Sequence, residues 1–502
     1  MSRWYYLICL VLSLSLTTSS FSVHDYLQQR LQYNNYNQAQ LQQALTLRVV
    51  EAQRIAITRV AEYSSHWLTL ARNLARSDGH YALQLSRYYQ SIGKTREQDY
   101  YFDLALKQGN KQAIIVQAEQ LADRGQYQKA LAKLRLVAFV NKTASPEAHK
   151  QAQQIAVLML EWAVAAGDFS TIASLLEKRH AMIPASLIAE LIRFKVIDAN
   201  HAVLLKPEAG QQYTHLAQST QPIDTLTDAT SVTQQCRYPI QFFADSLTKL
   251  RTLKQMMAQL EPFYQQQFCL LEPQYTAPQW LNCTNNATLR IQCQFDEALL
   301  QAQPKAIRYI GVMTDKGIAN VNHGMVFVDA GDSSQVLAHE LSHFLGFIDE
   351  YPLPINHAAC DEEGAIAHNV VNLTRRVFAS DQDARAFLAK QLPWYSLIQA
   401  STPVTHPVNG QHHLGTPAEF KNQIGLFPSR TCQYHSASSF KPIYGLSSLE
   451  YFEKPLPESY MQVFEQASDK KLMPSFHVNM GRYLMSQGQS SKAKTWFDAA
   501  HD

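Results

Sequence analysis

Runs of like charge are missing from this chain. No block of five or more occurs, and 44 Lys and Arg nearly cancel 42 Asp and Glu, leaving a formal charge of +2 over 502 residues. That balance excludes the basic footprint of a nucleic-acid-binding protein and the acidic tail of a solvating one, so no nucleic-acid partner is expected. Glycine (18) and proline (20) are too scarce for a collagen-like or low-complexity chain. Beyond the first residues no apolar run approaches the ~20 residues that span a bilayer, so no membrane span is expected once those residues are removed. CxxC pairs are absent as well, which excludes a zinc site built from closely spaced thiolates. What remains is a globular chain about three times a typical domain in length, and two or three domains are expected rather than one.

The first residues set the compartment. Ser2 and Arg3 precede an uncharged run from Trp4 to Leu16, and the small polar stretch TTSSFS follows. This is the order of a secretory signal over residues 1–22, with Ser20 and Ser22 flanking the cleavage position, and it predicts an exported protein, periplasmic or secreted. Of the seven cysteines, Cys9 lies inside that run and the other six are Cys236, Cys269, Cys283, Cys293, Cys360 and Cys432. An even set in an exported chain predicts disulfides, although six cysteines allow fifteen connectivities. Cys283 and Cys293 are near enough in sequence to clasp a short hairpin, and Cys360 with Cys432 could brace the long loops between them.

Residues 23–205 read as helix after helix, rich in Ala, Leu and Gln, nearly free of Pro, with apolar residues three and four apart. Gly93, Gly125 and Gly167 each close a helical segment. Phe102 and Ala105 follow Gly93 at nine and twelve residues, and Tyr127 and Ala130 follow Gly125 at two and five. These offsets resemble the second half of a tetratricopeptide or Sel1-like repeat, in which a small residue lets two helices approach and an aromatic fills the gap. The resemblance implies a surface for a protein partner. In SQGQSSKAKTWFDAA, Ala493, Phe497 and Ala500 keep offsets of five, nine and twelve from Gly488, which predicts a helical hairpin over 471–502 that packs against another part of the chain.

Residues 206–234, rich in Thr, Gln, Ser and Asp, read as a linker. From 235 to 470 the pattern changes. RYPIQFF, FCLLEPQY, LRIQCQF, AIRYIGVM and GMVFVDAG read as strands, with a helix over DSLTKLRTLKQMMAQL and a second after the last strand. The fold class expected is α+β: an N-terminal α-helical hairpin array, a mixed sheet with two main helices, and a short C-terminal helical hairpin.

The second of those helices carries the chemistry, in DSSQVLAHELSHFLGFIDEY. Asp332 and Gln335 give it a start resembling a capping box, and Val336, Leu337, Leu341, Phe344 and Leu345 supply its apolar face. His339 and His343, four apart, project from one face and can bind one metal ion; Glu340 stands beside them as the base of an HExxH pattern. Imidazole and carboxylate ligands without thiolate argue for zinc. Gly346 can reverse the chain, and Asp349 follows three residues later.

The string HELSHFLGFID resembles the metzincin zinc peptidases, HExxHxxGxx followed by His or Asp, here in the Asp form. The continuation Asp349-Glu350-Tyr351 is similar to the IgA-peptidase-like branch, one residue shorter between glycine and aspartate. The resemblance implies an exported zinc metallopeptidase acting on protein or peptide substrates. His339, His343 and Asp349 would hold zinc, and Glu340 would deprotonate a water for attack on the peptide carbonyl. It also implies an edge strand along which an extended substrate lies, at 324–330. A Met-turn would lie beneath the metal, where YGLSSLEYFE places Leu449 at the methionine position and Tyr451 as oxyanion donor; Met461 is the other candidate. Glu350 and Tyr351 would orient the site.

Two rivals stand beside this reading. Gluzincins use a glutamate separated from HExxH by eighteen residues, which here is Glu362, but the YPLPINHAAC before it is broken by proline and reads as loop, which favours Asp349. The other is a non-catalytic helical-repeat scaffold with a peptidase-like zinc-binding domain, against which the intact Glu340 argues. The remaining histidines, among them His323, His357, His368, His406, His412, His413 and His435, read as structural groups in loops.

Overall fold

The computed structural model describes residues 23–137, 146–200, 203, 237–304, 306–466 and 471–500. The signal at 1–22, Cys236, and the linker at 206–234 lie outside the described residues. The chain is α+β and divides into two compact units, 1–155 and 156–502, at a point inside the helix Pro146–Ala166.

The first unit is built of helical hairpins. Gly79–Ser91 packs on Thr95–Lys107, and Lys111–Ala122 on Tyr127–Arg135. Gly93 and Gly125 sit at φ +70° and +71°, a conformation that ends a helix and that glycine adopts without a Cβ penalty. Ala105 and Ala130, picked out by their offsets, are fully buried.

The later helices expected in that array belong to the second unit. Arg251 forms ion pairs with Glu161 (2.9 Å) and Glu190 (2.6 Å), and the Tyr275 hydroxyl donates to the Val164 carbonyl at 2.6 Å.

The sheet of the second unit follows in chain order: β1 (Tyr238–Ala244), α1 (Leu247–Ala258), β2 (Phe268–Leu270), β3 (Gln274–Tyr275), the hairpin of β4 (Leu281–Cys283) and β5 (Cys293–Phe295), then β6 (Tyr309–Thr314), β7 (Asn320–Asn322), β8 (Met325–Asp329) and α2 (Ser334–Phe344). The spatial order is β2-β1-β6-β8-β7, parallel except for β7, which runs antiparallel to β8 at the edge; β3 also pairs with β1. β1 and β6 are buried along their whole length, as parallel strands covered on both faces must be.

Alternation sends Tyr309 of β6 toward α2, where its ring stacks on Phe344 at 4.0 Å, and sends Ile310 and Val312 to the opposite face. That face is covered by the C-terminal helices Phe476–Ser486 and Ser490–Ala499, whose Phe476, Met480, Leu484 and Trp496 share a core with Phe243, Met325 and Phe327. Where the two helices meet, a Cβ on Gly481 would lie 2.5 Å from the Phe497 ring, so a missing side chain makes room for an aromatic.

Two expectations are corrected. The edge strand is β7, not the segment 324–330, which forms a strand flanked on both sides. Short antiparallel sheets also fill part of the region read as loop, and His406, His412 and His413 lie on the strands Thr405–Val408 and Gln411–Leu414.

Disulfides join Cys283 to Cys293 across the β4–β5 hairpin and Cys360 to Cys432; Cys269 is also disulfide-bonded. By loop entropy the 72-residue closure is worth about 4 kcal/mol. Such bonds fit an oxidising compartment. Among the described residues no helix is long and apolar enough to cross a membrane.

Gly324 tests the docking of the C-terminal hairpin. It sits at φ +78°, and a Cβ there would lie 2.2 Å from the Phe476 backbone nitrogen. Gly410, at φ +77°, has open space. Gly410→Ala should cost about 1–2 kcal/mol by conformation alone. Gly324→Ala should cost more by a further ~1–3 kcal/mol of overpacking, read as the difference in denaturant midpoints.

Candidate metal centre

Helix α2 starts at Ser333, whose hydroxyl accepts from the Val336 amide; Asp332, expected at the cap, instead accepts from the Asp329 amide. Leu337, Leu341 and Phe344 are fully buried, which anchors the helix and turns His339, Glu340 and His343 to another face. The helix ends in a Schellman motif: the Gly346 amide donates to the His343 carbonyl (3.1 Å) and the Phe347 amide to Ser342 (3.3 Å), with Gly346 at φ +83°. A Cβ on Gly346 would lie 2.4 Å from the Lys471 carbonyl oxygen, so glycine is required twice over.

This reversal carries Asp349 back to the helix. Its Oδ1 lies 3.1 Å from His339 Nε2 and 3.3 Å from His343 Nε2, and the ligand atoms of the three residues lie within 4.8 Å of one another. The other ring nitrogens are already engaged: His339 Nδ1 lies 2.7 Å from the Ser448 carbonyl and His343 Nδ1 3.1 Å from that of Phe347. A carbonyl only accepts, so Nδ1 carries the proton in each neutral ring and Nε2 presents a lone pair. Two imidazole lone pairs and a buried carboxylate oxygen that has no donor then face one another. They repel unless a positive charge lies between them, either a proton on an imidazole or a metal cation. The donor set of two imidazoles and one carboxylate suits a divalent ion such as zinc.

The metal-free protonation states follow from the same geometry. Burial disfavours charge on His343, but the Asp349 carboxylate overcomes it and pushes the imidazole up to about 9. Burial also works against the Asp349 charge, and the His343 and His339 rings outweigh it, holding the carboxyl far below the usual range. Glu340, 4.0 Å from His343 Nε2, is raised by burial against the pull of both imidazoles.

A buried carboxylate holds the returning loop in place. Glu350 has no exposed surface and accepts from Asn369 Nδ2 (3.0 Å), Tyr460 OH (2.5 Å), Lys441 Nζ (2.8 Å) and Ser447 Oγ (2.8 Å). Its amide donates to the Leu449 carbonyl at 2.9 Å, and Thr431 Oγ1 donates to the carbonyl of Asp349. The turn containing Ser448 and the fully buried Leu449 therefore lies against the site, and Met461 lies within the helix Glu458–Gln466 instead.

The other expected residues fall differently. Glu362 is exposed, outside the His339, His343 and Asp349 group. Tyr451 is 48% exposed, and its hydroxyl has no hydrogen-bond partner among the described residues. Tyr351 is the tyrosine at the cluster: its ring lies nearly parallel to His339 at 6.5 Å, and burial, with the Asp349 charge nearby, raises its pKa. Asn369, Thr431, Lys441, Ser447 and Tyr460 had no signal in the sequence, because their only relation to the motif is spatial.

The Glu350 network predicts a double-mutant result. Lys441→Met leaves a buried carboxylate without its cation and should cost about 3–5 kcal/mol in chemical denaturation. Lys441→Met combined with Glu350→Gln should lose less than the sum of the two single losses, a coupling that independent sites would not show.

Compared with known proteins, the chain matches no protein-family model, no curated protein and no solved structure.

Proposed function

We propose that the chain is an exported zinc-dependent peptidase of the metzincin type, periplasmic or secreted, that cleaves protein or peptide substrates. The observation that carries this reading is the buried Asp349 oxygen facing two imidazole lone pairs, a cation-binding arrangement with Glu340 beside it. His339, His343 and Asp349 would hold the ion. When bound, zinc supplies Lewis acidity that polarises a carbonyl and brings the pKa of water to about 7.

Glu340 does the proton work. Its burial makes it a stronger base than an ordinary carboxylate, suited to taking the proton of the attacking water and passing it to the departing amine. The Ser448 and Phe347 carbonyls keep each imidazole in the tautomer that leaves Nε2 free. Tyr351, whose ring lies beside His339, is the hydroxyl available to steady charge at the reacting carbonyl, in place of the exposed Tyr451. An extended substrate lies along the antiparallel edge strand β7, using main-chain hydrogen bonds. The N-terminal helical hairpins are proposed to hold a protein partner.

Metal analysis of purified protein should give about one zinc per chain, lost in His343→Ala. Glu340→Gln should keep the metal while cleavage of casein falls by roughly 10²–10⁴-fold, the contribution of a positioned base. A zinc-bearing Glu340→Gln variant that still cleaves casein removes the proposed base, and a zinc-free wild type removes the reading.

Zinc uptake should also release protons. With a metal-free pKa of about 9, His343 is protonated at neutral pH, so a cation must displace that proton. Zinc affinity should therefore rise with pH up to about 9, and calorimetry in buffers of different ionisation enthalpy should show close to one proton released from this group near pH 7.5.

A further inference from the structure

A cavity beside the edge strand β7 contains a cation that the hydrolytic reading leaves unused. Arg290 stands on a segment pinned from several directions. Cys283–Cys293 closes the hairpin that flanks it, the Ile291 amide donates to the Ile318 carbonyl (3.1 Å), and Asn320 Nδ2 donates to the Ile291 carbonyl (3.0 Å). Ile291 is fully buried, and the absent side chain of Gly317 leaves room for it. Its neighbour Arg290 is exposed.

Between this segment and the edge strand lies a cavity of about 380 Å³. Arg290, Asn320 and Asn322 stand at its polar rim over apolar Ile291, Met325 and Phe327, and Arg290 is the one charged residue lining it. The guanidinium makes no hydrogen bond or ion pair among the described residues, whereas Arg251 of the same unit is satisfied by two glutamates. The cavity borders β7, and β7 packs against α2, the helix that carries His339 and His343.

We propose that Arg290 is a specificity residue that takes a substrate carboxylate, so that the cleft selects acidic peptides. The proposal rests on the peptidase reading for its consequence in cleavage, but the anion-binding step stands apart from catalysis. The planar five-donor fork of arginine matches a carboxylate through two parallel hydrogen bonds. The neighbouring asparagines add neutral polar groups without competing charge. The carboxylate can come from an Asp or Glu side chain or from a free chain terminus.

The test uses the full chain loaded with zinc and quenched peptides that differ only in Glu, Gln or Lys at single positions around the scissile bond. Each is made with a free and with an amidated C-terminus. Wild type should prefer the Glu peptide over the Gln peptide at one position by roughly tenfold in kcat/KM. In Arg290→Gln that ratio should collapse to about one, and in Arg290→Glu it should invert in favour of Lys. A preference removed by amidation but not by Glu→Gln assigns the carboxylate to the chain terminus.

Binding of the same peptides to zinc-loaded Glu340→Gln, followed by fluorescence anisotropy, gives a readout without turnover. A charge preference that disappears in Glu340→Gln/Arg290→Gln supports the assignment even if wild type cleaves none of the peptides, an outcome that sinks the peptidase reading alone. The absence of any charge preference in wild-type cleavage and in binding, or a preference that survives Arg290→Gln, overturns the proposal.

Discussion

One carboxylate without access to water, Glu350, governs how the second unit closes around its site. Burying such a charge costs several kcal/mol unless donors surround it, and the four that do come from four separate stretches of chain: Asn369, Lys441, Ser447 and Tyr460. None of these can leave without stranding the charge. Asp349 precedes it directly, and the Leu449 carbonyl fixes its amide. The position of the third candidate ligand is thus set by a polar network rather than by the apolar core. The same network brings up the turn whose Ser448 carbonyl orients His339.

The cluster needs a positive charge among its donors, which a proton supplies and a divalent cation would also supply. Backbone carbonyls occupy the Nδ1 atoms, so the ring edges that face Asp349 are alike in sign and must be bridged by something positive. In the metal-free chain His343 provides the charge by retaining its proton. A fixed polar frame of this kind would need little rearrangement if a cation replaced that proton, because the Schellman reversal at Gly346 and the Glu350 network already hold the three donors together.

The parts of this arrangement that were legible in the sequence are those with local causes. Histidines four apart share a helix face, and a glycine three residues past the second reverses the chain within one turn. β1, β6 and β8 were readable because a strand covered on both faces must be a continuous apolar run. β7 was not: Asn320-Val321-Asn322 is three residues long and mostly polar, and it is a strand only because β8 lies beside it. Helical periodicity likewise says that a segment has an apolar face but not what covers it, so it does not separate the helices after residue 156, which group with the sheet unit, from those before them. Tyr451 was placed by its offset from a turn, whereas Tyr351 reaches the cluster because Asp349 lies two residues before it.

The end of α2 is completed from far along the chain. The Met473 amide donates to the Phe344 carbonyl, the Met473 carbonyl accepts from the Tyr309 hydroxyl, and the Lys471 backbone fills the space beside Gly346. A polypeptide emerging from a ribosome therefore makes the two histidines more than a hundred residues before the strap that seats their helix. Until that strap is made, the reversal at Gly346 lacks the backbone that fills the space beside it, so the geometry of the cluster depends on a segment far from it in sequence.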